Sequence, residues 1–141
     1  MEKLGPAFPD MRADWTAGAP LPGGDFSVGD VQTLIDQLRD TYPFLTDPWA
    51  TRLIRAYGTQ ARTMLGDAQG IAQLGLCFGH TLHAKEVTWL MQHEYARTAD
   101  DIVWRRSKLG LRMTADQIAA LDTYMRDCDN APDEAKKEDP A

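Results

Sequence analysis

Helix-start signals recur along the middle of this chain, and between them apolar residues return at helical rather than alternating spacing. "SVGD", residues 27–30, can form a capping box: the Ser27 hydroxyl accepts from a first-turn amide and Asp30 sits at the positive helix end. Val31, Leu34, Ile35 and Leu38 then share one helical face. At "TDP", Thr46 or Asp47 is the expected N-cap, and Pro48 suits a first turn where its missing N–H costs nothing. Trp49, Leu53, Ile54 and Tyr57 make the next apolar face, which Gly58 ends. "TQARTML" predicts another short helix, stopped at Gly66. A longer one is predicted over roughly residues 82 to 94. "TADD" from Thr98 and "TADQ" from Thr114 are again capping boxes. The first opens a helix to about Leu109, with Gly110 as its C-cap. The second opens a helix carrying Ile118, Leu121, Tyr124, Met125 and Cys128. The glycine-bearing residues 66–79 read as a short helix or an irregular connector, and match neither GxGxxG nor a Walker A loop. The pattern predicts an all-α fold, a compact multi-helix bundle over residues 27–129.

The two ends read differently. Residues 1–26 are rich in Pro, Gly and Ala with no period. They are expected to be a leader or the end of a preceding domain, and Trp15, Leu21 and Phe26, apolar for a leader, favour the second. The charged, proline-bearing residues 130–141 are expected to be a disordered acidic tail. A chain of 141 residues can bury one real core. No apolar run is long enough to span a bilayer, and "MEKLGPAFPD" lacks the apolar stretch of a signal peptide. Cys77 and Cys128 form neither CxxC nor zinc spacing, so free thiols in a cytoplasmic setting are expected. A net charge of -6 argues against a broad nucleic-acid surface, which draws on Lys and Arg at phosphates.

Three groups invite a chemical reading. His80, His83 and Glu86 are spaced three apart, but polar groups satisfying amides near a helix start are the simpler expectation than a metal. "HEYAR" begins like HExxH, yet its fifth residue is Arg97, so one zinc ligand is missing. Cys77 and His80 lack an evident third partner for nucleophilic catalysis, and a buried thiol is the expectation. Neither a metal site nor a nucleophilic catalytic set is assigned to these groups.

The basic cluster Arg105, Arg106 and Lys108 can be tested by helix phase. Arg106 falls in the middle of the stripe Ala99, Ile102 and Val103, while Arg105 lies one turn after Asp101 in the favourable acid-before-base order. Lys108 turns away from the stripe, near Trp104. On the preceding helix Glu94 is central on the apolar face and Glu86 is at its edge. A buried arginine must be paired, so Arg106 is expected to take Glu94 or Glu86 from that neighbouring helix.

The segments "APLPGGDF", "YPFLT", "RAYGTQARTML", "FGH", "EVTWLMQHEYARTADDIVWRRSKLGL" and "TADQ" together resemble the C-terminal region of the aerobic, FAD-dependent glycerol-3-phosphate dehydrogenases. The resemblance runs from about Trp15 to Asp127 and is most specific over residues 93–111. It implies an all-helical cap domain. It also implies that residues 1–26 are the remnant of a preceding FAD domain, the domain expected as this chain's partner. The parent enzyme would convert glycerol 3-phosphate to dihydroxyacetone phosphate through FAD and pass electrons to a quinone. It would lie peripherally at the cytoplasmic face of the membrane, and a homodimer is compatible with it. The dinucleotide fingerprint is absent here, so the fragment alone is expected to bind no flavin and to be inactive. The alternative is a free-standing helical interaction module, in its sharpest form a helix-turn-helix DNA binder touching phosphates through the turn of Arg105 and Lys108.

Overall fold

The computed structural model describes residues 15–130, and the first fourteen residues and the acidic tail beyond Asn130 lie outside it. Five α-helices carry the fold: α1 (Val31–Thr41), α2 (Asp47–Tyr57), α3 (Gln60–Leu65), α4 (Ala84–His93) and α5 (Ala115–Asn130). An antiparallel hairpin, β1 (Cys77–Gly79) with β2 (Leu82–His83), leads into α4. One core unites these elements. Leu38, Leu53, Leu82, Val87, Leu90, Ile102, Leu121 and Met125 are its most deeply buried large side chains, so every principal helical stripe faces the same interior.

The two later capping boxes close reciprocally. Thr98 N–H donates to the Asp101 carboxylate at 3.0 Å while Asp101 N–H donates to the Thr98 hydroxyl at 3.3 Å. Thr114 N–H donates to Gln117 Oε1 at 2.9 Å, and Gln117 N–H returns to the Thr114 hydroxyl at 3.3 Å. The earlier "SVGD" does not cap. Ser27 precedes a 3-10 turn, Val28–Asp30, and neither Ser27 nor Asp30 makes a side-chain capping bond. Thr46 stands at the N-cap of α2 without a side-chain bond, and Pro48 lies in the first turn.

Three further expectations need correction. Residues 66–79 contain a 3-10 turn, Ile71–Leu74, and then β1, a strand too short to show alternation in sequence. The helix after Thr98 widens into a π-helical segment, Asp101–Arg106, with Ser107 N–H reaching back five residues to the Ile102 carbonyl at 3.0 Å. Gly110 is not the C-cap of that helix. Lys108 takes the left-handed conformation (φ 58°), and Gly110 lies under the Trp104 indole, where a Cβ would stand 2.6 Å from the ring.

The stretch "LPGG" folds as a turn. Gly24 N–H donates to the Leu21 carbonyl at 2.7 Å, with Pro22 second and Gly23 third at φ 74°, the arrangement of a type II turn. This turn rests on the corner between α2 and α3.

Candidate functional site

The deepest polar group of the core is on the first turn of α4. Glu86 is only 4% exposed and accepts from both ends of the Arg52 guanidinium on α2, at 2.6 Å and 2.7 Å. The Tyr57 hydroxyl, one and a half turns further along α2, donates to the same carboxylate at 2.6 Å. The remaining donors of Arg52 go to Thr81 in the hairpin turn: Nε to the hydroxyl at 3.0 Å and Nη2 to the carbonyl at 3.2 Å. Such a pair is tolerable in an apolar interior only because nearly every lone pair and N–H is used. Burial lowers the guanidinium's affinity for its proton, but the hydrogen bond and charge of Glu86 outweigh it, so Arg52 is held more firmly charged than usual. Burial first, and then the Glu86 charge, push the Tyr57 hydroxyl far above the ordinary tyrosine range, so it stays a donor. The arrangement is a lock joining α2, the hairpin and α4.

The second polar junction is at the other end of α4. The Arg106 guanidinium grips the main-chain carbonyl of Glu94, through Nε at 3.2 Å and through Nη2, and Nη1 donates to the Asp101 carbonyl at 3.2 Å. Glu94 is the C-cap of α4, so a cation here satisfies an orphan carbonyl at the negative end of the helix. The Glu94 carboxylate stands 3.9 Å from Nε. Of the two carboxylates expected for Arg106, Glu94 is the one within ion-pair reach and Glu86 is not. Glu86 and Glu94 are about 12 Å apart along the helix axis, and Glu86 is committed to Arg52, a residue the sequence reading passed over. Its one signal was a basic residue at the edge of the apolar face of α2.

Arg105 pairs with Asp101 one turn back, but at 73% exposure that pair adds little stability. Asp101 matters more as a cap. The Arg97 and Thr98 amides, before any other influence, bring its carboxyl down to about 2. Lys108 folds back onto the Trp104 carbonyl. The three cations therefore do not converge on an anion, and the short π-helical segment offers no extended recognition helix.

The remaining candidates also separate. His83 stacks on Trp49 with ring centroids 5.0 Å apart, while His80 at the hairpin tip meets Arg112 at 3.2 Å. Cys77 is exposed and Cys128 half-buried, both free. A cavity of about 10 Å³ beside Trp49, His83 and Glu86 has room for one water. A wider open cleft of about 380 Å³ is lined by Asp36, Arg39, Asp40, Pro43 and Leu45, and Arg39 already pairs with Asp47. Neither suits a flavin dinucleotide. The β1–β2 hairpin provides no parallel strand–glycine turn–helix unit to receive its phosphates, and the cleft presents two carboxylates to them.

These features define a small helical domain braced by two internal polar junctions. A family model described as the C-terminal domain of alpha-glycerophosphate oxidase matches residues 15–127, and the chain belongs to that family. It is 41% identical over 126 residues to a glycerol-3-phosphate dehydrogenase of Pseudomonas aeruginosa, covering 89% of this chain and 24% of that protein. It is 40% identical over 121 residues to a D-erythritol 1-phosphate dehydrogenase of Brucella abortus (86% and 24%), and 38% identical over 125 residues to the aerobic glycerol-3-phosphate dehydrogenase of Escherichia coli (89% and 25%). The chain spans about a quarter of the length of these relatives.

Proposed function

We propose that the chain is the accessory C-terminal domain of a polyol-phosphate dehydrogenase, with glycerol 3-phosphate as the substrate. The carrying observation is that nearly all of this chain aligns with a quarter of a glycerol-3-phosphate dehydrogenase at 41% identity. The parent would bind FAD, oxidise the secondary alcohol to dihydroxyacetone phosphate and pass the electrons to a quinone from the cytoplasmic face of a membrane. Its flavin and substrate groups would belong to a preceding domain, the natural partner of this one. No described helix is long and apolar enough to cross a bilayer, so any membrane association of the parent would use other residues or the surface. The domain's contribution is to brace or cover the catalytic part.

The test is to purify both the parent polypeptide and the 141-residue chain and assay quinone-analogue reduction with glycerol 3-phosphate and with erythritol phosphate. The parent should carry one flavin and turn over glycerol 3-phosphate, and the chain alone should do neither. Flavin held by the isolated chain, or a parent active only on the larger polyol phosphate, would refute the assignment.

A further inference from the structure

The turn at residues 21–24 meets the α2–α3 corner backbone to backbone. A Cβ on Gly23 would stand 2.2 Å from the Tyr57 carbonyl oxygen, and one on Gly58 would stand 1.9 Å from the Gly23 carbonyl oxygen. Both glycines have positive φ, 74° and 55°, which L-residues rarely adopt. The approach is closed by a hydrogen bond from Thr59 N–H to the Gly23 carbonyl at 3.0 Å, and the Phe26 ring covers Gly58. The receiving corner is itself immobilised, because Tyr57 is tied by its hydroxyl to the buried Glu86. Pro22 fixes the second position of the turn, and Pro20 stiffens the chain leading into it.

A flexible tether needs none of this: glycines in a linker serve freedom of motion, whereas here two glycines serve close contact. We propose that the Pro22–Gly23–Gly24 turn, seated in the Gly58 corner, is a rigid interdomain joint. It sets the direction in which the polypeptide enters the helical domain, and so holds the preceding domain in one orientation. The preceding domain rests on the function proposed above, while the seating of the turn stands on this chain alone.

The two are tested separately. In the 141-residue chain, the Thr59 amide should be protected from hydrogen exchange. Gly23→Ala should speed its exchange by about tenfold or more while the Ile118 amide, in the first turn of α5, keeps its protection. Gly29→Ala, where a Cβ meets open space, should leave both unchanged. In the parent polypeptide, spin labels on exposed Thr123 and on the preceding domain should give one narrow distance distribution. It should broaden in Gly23→Ala and in Thr59→Pro, which deletes only the donor, since Thr59 already has a proline-compatible φ of -64°. A Thr59 amide exchanging as an open chain, or a distribution equally broad in the wild type and both variants, overturns the joint. A parent with a narrow distribution but no dehydrogenase activity would overturn only the proposed function.

Discussion

The Arg106 guanidinium and the Glu94 carbonyl oxygen meet at the end of α4, with Nε 3.2 Å from the oxygen. The contact satisfies a helix-terminal carbonyl from a different element, so it ties the π-helical segment to α4. Arg106→Leu should lower stability by about 1–3 kcal/mol, the cost of leaving a half-buried carbonyl without its charged donor. Glu94→Gln, which keeps that carbonyl, should cost under about 0.5 kcal/mol. Urea denaturation of the two variants would check this; equal losses would mean that the carboxylate is the true partner.

Removing Glu86 should be among the most damaging single changes. Glu86→Leu leaves the charged Arg52 guanidinium largely shielded from water and without its carboxylate, and a loss of about 3 kcal/mol is expected. The double variant Arg52→Met, Glu86→Leu should recover much of it, since no unpaired charge remains. A double-mutant cycle in denaturant reads the coupling directly, and additive losses would contradict the lock.

Acid should act on Asp101. Its carboxyl titrates at about 2 in the folded chain against an ordinary 3.8, so the unfolded chain binds the proton more readily. The stability this group contributes is therefore fully present above about pH 4 and is lost as pH falls towards 2. Asp101→Asn should flatten that part of the stability profile, measured as urea midpoints between pH 2 and 7. An unchanged acid slope in the variant would place the acid sensitivity elsewhere.

Gly110→Ala should displace the Trp104 indole, because the added methyl would overlap the ring at 2.6 Å. Trp104 is already 39% exposed and can swing outward, so a modest loss of about 1 kcal/mol is expected. Iodide quenching, with Trp104→Phe as reference, should show a more accessible tryptophan. A quenching curve like that of the wild type would show that the ring has room to stay.

The helical character of this chain was legible because it is local. Apolar residues at helical spacing mark α1, α2, α4 and α5, and Thr98 and Thr114 cap through partners three residues away. The same local logic failed at Ser27, where a 3-10 turn comes between the cap and the helix. It failed again over residues 77–83, whose strands carry too few residues for a period. It also missed the π-helical turn after Asp101, a feature of backbone hydrogen bonding that side-chain spacing does not mark.

The candidate site was less legible than the fold. Helix phase placed Arg106 inward and set Asp101 beside Arg105, since both follow from one helix surface. Only tertiary structure decided that Arg52 takes Glu86, that Arg106 hydrogen-bonds the Glu94 carbonyl with the Glu94 carboxylate at 3.9 Å, and that Gly23 seats against Gly58. The sequence by itself determined where helices begin and which faces are apolar, because those depend on neighbours within a turn. Which buried charge meets which partner depends on how α2, α4 and the π-helical segment pack in space. An ion pair's desolvation is settled only when the whole shell around it has closed.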